Sequence, residues 1–500
     1  MLNALRQRLW PIYPQERIKF IPLLAMKFLL SLNYTLLYNS KDTLVISESL
    51  GSGAEVIPLL KGWLVIPCAF LLMILYNRAS NYLSRAGLFY ATLTPFLLFF
   101  LAFNFVIFPN KEFLTPTASA DQLLEFLGNS RSHWVAIYRN WYNCLFYIIA
   151  ELWGVITINL LFWTFANQIS SIKEARRFYT LYSAAGDLGA MASAAVIKIC
   201  FIPQNFSATL FSVLNWTIVL GIVTIAIYFV LDRYILPARS ELDWSKLRVL
   251  TRNKKEKPSL LKSLGTLARS PSLLHITMMV VGYALTLNLV EVFWKALLKE
   301  AFPASSDYYN FMNMFSFYTG LASLLVTVFA AGQILRAKGW HFSAQITPVL
   351  VGATGIAFFL FYYTQAYWSP LTIIMGLTPT LALAYYGAFQ NILSKTCKYS
   401  FFDPTKEMAY IPLSEEEKTK GKAAVDVVGS RLGKSGSSWL QLGLMEVLQT
   451  NTLLTLAPLI CPLIAGMTWI WSRNCFYLKQ VFQNQSSSKT PSIDSSHESS

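Results

Sequence analysis

Between Lys422 and Gln441 the chain reads KAAVDVVGSRLGKSGSSWLQ, placing Asp426, Arg431 and Lys434 in a run whose Ala, Val and Leu content still allows it to span a bilayer. Ionisable groups at membrane depth are costly and normally face an internal cavity. On a helix, Asp426, Ser430 and Lys434 share one face, with Gln441 near the same stripe. Gly429, Gly433 and Gly436 leave room for a neighbouring helix or a ligand against the backbone. Further expensive residues sit in other apolar runs. Glu151 lies in AELWGVITINLLFWTFANQ with no basic residue within a helical turn, so its partner must come from another helix. Asn288, Glu291 and Lys295 in LNLVEVFWK line one face, where Glu291 and Lys295 form either a local i,i+4 pair or part of a binding surface. Lys27 is central in the first run, Lys41 and Asp42 close it at the membrane edge, Lys61 is placed to snorkel, and Asp187 lies in the fifth run. The chemistry these residues offer is passage of a charged solute.

Bond-breaking chemistry fits poorly. The sequence has no paired acid and base, nucleophile or metal cluster at usable spacing. GSRLGKS looks like a phosphate-binding loop, but Gly429 and Gly433 enclose three residues where that motif needs four, and no buried strand precedes it. A membrane-embedded enzyme acting on nucleotides or lipids is therefore the weaker reading. The six cysteines are scattered and read as packing residues, the four histidines give no metal site, and no cofactor is expected.

The elements that position these residues are membrane helices. Of 500 residues, 54% are hydrophobic and 13% charged, with a mean hydropathy of +0.44. Soluble domains carry about a quarter charged residues, so the chain is polytopic and all-α. Its formal charge of +15 then reflects cytoplasmic loops and an anionic substrate, with no nucleic acid as partner. Twelve spans are expected at 20–39, 55–77, 84–108, 137–165, 180–201, 208–231, 272–297, 309–334, 343–364, 369–394, 423–448 and 453–472. Arg78 and Arg85, then Lys173, Arg176 and Arg177, then Arg336 and Lys338 fall in alternate loops, which predicts cytoplasmic termini. No cleavable leader pattern precedes the first span. The expected organisation is an N-terminal segment (1–19), a six-helix half (20–232), a basic cytoplasmic linker (233–271), a second six-helix half (272–476) and a Ser-rich disordered tail (477–500). Two such halves are the layout of transporters that rock around a central site.

Several stretches carry a resemblance. LWPIYPQER, KDTLVIS with GSGAEVIPLLK, ELWGVITINLLFWTFANQ, KEARRFY, NLVEVFWK, FDPTKEMAYIPL and KAAVDVVGSRLGKSG occur in the same order as in the nucleotide transporters (ATP/ADP translocases) of obligate intracellular bacteria and plastids, which the chain resembles from its first span to its last. The resemblance implies a major-facilitator-like bundle exchanging nucleotides across a bacterial inner membrane, acting as a monomer without a cofactor. The charges that family needs for transport would fall on Lys41, Glu151, Glu291 and Lys434. Lys41 and Lys434 would then take the phosphates from opposite sides, with Arg431 assisting, and Glu151 and Glu291 would hold the cations when the site is empty. Asn288 belongs to the same face, and the base would stack on Tyr34, Phe162, Trp163 or Phe293. Two departures bear on specificity. Tyr38, Asn39 and Ser40 stand where the family has Arg-Asp-Thr, and Asp187 stands where it has Asn. Exchange of ATP for ADP, exchange of another nucleotide such as NAD for ADP, and proton-coupled import through Asp187 all remain open at this point.

Overall fold

The computed structural model describes residues 12–170, 172–235, 269–410, 413, 425 and 429–488. Asp426, most of the basic linker and residues 489–500 lie outside them, as do the side chains of Ser430 and Arg431. Among the described residues there is no strand. The long helices are α1 (Pro14–Glu48), α2 (Val56–Ser80), α3 (Arg85–Ile107), α4 (Trp141–Asn167), α5 (Ile172–Cys200), α6 (Phe206–Ile235), α7 (Pro271–Ala301), α8 (Ser305–Val326), α9 (Gly332–Tyr363), α10 (Pro379–Ala409), α11 (Ser430–Val447) and α12 (Ala457–Ser488).

Among the described residues nine helical stretches are long and apolar enough to cross a membrane, or ten if the bent pair that includes α10 is one span. One of the nine is the 59-residue stretch Ser305–Tyr363, at ~1.5 Å per residue far longer than a bilayer core is thick. Gly339 divides it: its φ of 79° and ψ of 179° are non-helical and suit a residue without a Cβ. α11 is not among the nine; Ser435, Ser437, Ser438 and Gln441 give it a buried polar side.

Three boundaries differ from expectation. α1 runs to Glu48, so Lys41 and Asp42 lie inside it, fully buried, and do not close it. The expected 369–394 span is two helices. Gln365–Ile374 stops at Gly376 (φ 75°), and α10 departs at 101° from Pro379, whose ring sits in the first turn where its missing N–H costs nothing. The last helix continues to Ser488, past the expected start of the tail.

Each half closes its own core. Phe20, Leu36, Phe100, Phe146, Trp153 and Leu210 belong to one cluster, while Trp294, Phe358, Leu383 and Ile464 belong to another that also takes in Ile46, Ala54 and Ile57 from the first half. Glycines set the closest helix approaches, as expected where lipid supplies no hydrophobic drive between helices. A Cβ on Gly189 of α5 would lie 2.4 Å from the Phe28 carbonyl oxygen of α1. One on Gly433 of α11 would lie 2.5 Å from Ala284 of α7.

Candidate functional site

Three carboxylates and three lysines form a ladder where α1 meets α4, α7 and α10. Lys41 Nζ lies 2.9 Å from Asp42 Oδ1, and the other Asp42 oxygen lies 2.8 Å from Lys295 Nζ. Lys295 reaches Glu291 Oε1 at 3.0 Å along α7, and Lys395 of α10 reaches the same oxygen at 3.3 Å. At the other end Lys41 meets Glu151 Oε2 of α4 at 3.2 Å, which supplies the interhelical partner that Glu151 required. Lys41, Asp42 and Lys295 have no exposed surface. Charges so deep are tolerable only when each is paired and hydrogen-bonded.

Tyr38 sits at the middle of this ladder. Its hydroxyl donates to Glu291 and accepts from Lys295 Nζ at 3.2 Å. Its ring centroid is 4.6 Å from Lys41 Nζ, 5.1 Å from Lys295 and 5.2 Å from Lys395. One neutral ring thus faces three ammonium groups, and the Tyr147 ring also lies 4.0 Å from Lys41 Nζ. Asn39 is fully buried and accepts from Ser316 Oγ of α8 at 3.0 Å.

A second polar cluster lies beside the first. Lys61 Nζ of α2 donates to Asn288 Oδ1 at 2.8 Å, and Asn288 Nδ2 donates to Ser437 Oγ of α11 at 2.6 Å. Lys61 is therefore held inward, and the expectation that it snorkels to the surface is corrected. The cause is local: Gly62 packs against Ser438, where a Cβ would meet its neighbour at 3.2 Å, and this close approach turns the preceding lysine toward α7. Lys434 is exposed, while Ser438 and Gln441, which follow on its own face, are buried. Both Lys61 and Lys434 lie within electrostatic reach of Glu151.

The remaining candidates spread out. Asp187 packs along α8, with its carbonyl oxygen 3.1 Å from the Cβ position of Gly320, and lies in the field of Lys27. Lys27 is 5.7 Å from the Phe162 ring and 5.9 Å from Trp163. Phe162 and Phe293 are core residues, 0% and 1% exposed, and offer no free face to a base. Tyr34 packs on Gly154, one turn after Glu151, where a Cβ would come within 2.4 Å of its ring and α4 has widened into i→i+5 turns over Gly154–Phe162. Lys395 and Tyr147 were not legible as site residues; Lys395 falls just past the expected 369–394 span, where a lysine ordinarily reads as a membrane-end charge.

Contacts between the halves gather at one end of the bundle. They include Lys295–Asp42, Arg131–Glu446, Asn313 Nδ2 to the Ala194 carbonyl at 3.3 Å, and Lys299 donating to the Ile46 carbonyl. Long apolar helices in two halves, no strand among the described residues and buried charges meeting at the seam define an all-helical polytopic membrane protein with the two-half layout of transporters. Solved structures agree in fold: a bacterial metal transporter (16% identical, TM-score 0.52, covering 91% of this chain and 98% of that one) and a bacterial homologue of the iron transporter ferroportin in an inward-facing state (14%, TM-score 0.52, 95% and 100%). The model of the TLC ATP/ADP transporter family matches residues 1–482, and the chain belongs to that family. It is 40% identical over 499 residues to ADP,ATP carrier protein 1 of Chlamydia pneumoniae, covering 98% of this chain and 96% of that protein. It is 41% identical over 434 residues to the chloroplastic ADP,ATP carrier protein 1 of Arabidopsis thaliana (85% and 68%), and 34% identical over 493 residues to ADP,ATP carrier protein 3 of Rickettsia felis (94% and 96%).

Proposed function

We propose that the chain is a nucleotide antiporter that exchanges ATP and ADP across a bacterial inner membrane by alternating access. The observation that carries this reading is the buried ladder from Glu151 through Lys41, Asp42 and Lys295 to Glu291 and Lys395. It joins the two halves through the Lys295–Asp42 ion pair and the Tyr38 hydroxyl on Glu291 and Lys295, and its partners can be traded for phosphate oxygens without stranding a charge. We read α1 to α12 as twelve spans with cytoplasmic termini, the chain working as a monomer, and the end at which the halves meet as the outer side. On this reading the conformation described is sealed outward.

Lys41, Arg431 and Lys434 are the proposed phosphate partners, Glu151 and Glu291 hold the site's cations when it is empty, and Asn288 is a positioning residue. Lys41→Ala or Lys434→Ala is expected to abolish most uptake while leaving membrane insertion unchanged. The test is uptake of labelled ATP into proteoliposomes preloaded with ADP, competed by ADP, GTP, UTP and NAD. ATP and ADP competing best, with the nucleotide recovered chemically unchanged, supports the reading. Preferred competition by NAD would support dinucleotide exchange instead, a change of specificity that Tyr38 in place of a charge at the ladder's centre favours. Recovery of a hydrolysed product would overturn the carrier reading.

A further inference from the structure

The charges around the seam do not cancel. Among the described residues, Lys41, Lys61, Lys295, Lys395 and Lys434 stand against Asp42, Glu151 and Glu291, which leaves two positive charges over. The pairing identifies which two. Lys41, Lys295 and Lys395 each have a carboxylate oxygen within 3.3 Å, whereas among the described residues neither Lys61 nor Lys434 makes an ion pair. Lys61 has one hydrogen bond, to a neutral amide oxygen, and an ammonium has three donors. Lys434 is exposed next to the buried contact of Ser438 with Gly62 and acts electrostatically on Glu151.

These two cations come from opposite halves and are tied to one frame. Asn288 of α7 accepts from Lys61 with its oxygen, and with its nitrogen donates to Ser437 Oγ and, at 3.4 Å, to the carbonyl of Lys434. A single amide therefore orients the α2 lysine against the helix turn that carries the α11 lysine. Two uncompensated ammonium groups at membrane depth are unfavourable until an anion arrives. A pair of linked phosphate groups supplies that charge and enough acceptor oxygens for both.

We propose that Lys61 and Lys434, positioned through Asn288, form a two-lysine clamp for the diphosphate portion of the substrate, and that the Lys41–Asp42–Lys295–Glu291–Lys395 ladder serves as the gate above it. This rests on the reading of the chain as a nucleotide carrier and deepens it: it adds Lys61 as a specificity residue and gives Lys41 and Lys434 different tasks. The clamp discriminates by phosphate count, since a monophosphate cannot engage both lysines as a diphosphate does.

The test measures binding to the purified full-length protein in detergent. Loss of one charge-assisted contact is expected to weaken ADP binding by about ten- to a hundredfold in Lys61→Gln, with AMP affected far less and Lys61→Arg retaining most of the affinity. A second measurement does not depend on a variant folding. Amine-selective acylation of the wild-type protein, read by mass spectrometry, is expected to slow several-fold at Lys61 and Lys434 when ADP or inorganic pyrophosphate is added. Wild-type ADP affinity in Lys61→Gln, or acylation of Lys61 unchanged by saturating ligand, overturns the clamp. Protection by pyrophosphate with no binding of any nucleotide upholds the clamp and overturns the nucleotide reading instead.

Discussion

Lys295 Nζ and Asp42 Oδ2 meet at 2.8 Å with neither side chain exposed, and the pair joins α7 to α1 across the seam between the halves. Asp42 also holds Lys41 through its other oxygen, so one carboxylate serves a lysine from each half. Asp42→Asn leaves both cations short of a partner in the sealed arrangement only. Breaking such a buried pair costs about 3–5 kcal/mol, which shifts a two-state equilibrium by more than a hundredfold. Alkylation of a cysteine placed at Ile46, which is fully buried against the second half, is expected to accelerate accordingly in the Asp42→Asn background. An unchanged rate would remove this pair from the gate.

Glu151 and Glu291 have unequal burdens. Glu151 holds Lys41 alone among the described residues, whereas Glu291 holds Lys295, Lys395 and the Tyr38 hydroxyl. Glu151→Gln and Glu291→Gln should both slow maximal exchange more than they weaken binding, with Glu291→Gln the more severe. Vmax and KM for ADP uptake check this. A variant that loses affinity yet keeps its maximal rate would place that carboxylate on the substrate.

Coupling turns on Asp187. An empty cationic site crosses poorly, so a strict exchanger takes up nucleotide only into vesicles preloaded with a partner. Asp187 lies apart from the ladder, against α8 and in the field of Lys27, so Asp187→Asn is expected to leave preload-dependent exchange largely intact. Uptake into empty vesicles that follows an inward proton gradient and disappears in Asp187→Asn would overturn exchange in favour of proton-coupled import.

Packing offers a separate check on the fold. Gly189→Val places a branched side chain where the Phe28 carbonyl oxygen is 2.4 Å from the Cβ position, and α1 cannot yield without moving the ladder it carries. The expected outcome is overpacking worth about 1–3 kcal/mol or more, read as a lower melting temperature in detergent. Gly466→Ala in α12, which has nothing within 4 Å of its Cβ position, should melt at or slightly above the wild-type temperature, since alanine loses less entropy in a helix than glycine.

What the sequence determined by itself was the class of molecule and the residues that bear the cost of charge. Long apolar runs admit only spanning helices, because every backbone polar group must be satisfied within the segment. Ionisable residues inside those runs, Glu151, Glu291, Lys295 and Lys434 among them, are visible because lipid tolerates so few. Glu151 even announced its need for a partner on another helix, and Lys41 is that partner. Partner choice, in contrast, belonged to the tertiary structure. Glu291 and Lys295 do form the i,i+4 pair their spacing allows, yet Lys295 also reaches Asp42, 253 residues away. Lys395 and Lys61 looked like helix-end lysines because a lysine near a span boundary reads the same whether its stem turns outward to water or inward to a carboxylate or amide. Only the approach of α2 to α11 at Gly62 and of α10 to α7 at Gly387, where a Cβ would come within 2.2 Å of Trp294, decides that direction. Periodicity records which face of a helix is polar; which helix that face meets depends on contacts among residues hundreds of positions apart, and no local pattern encodes them.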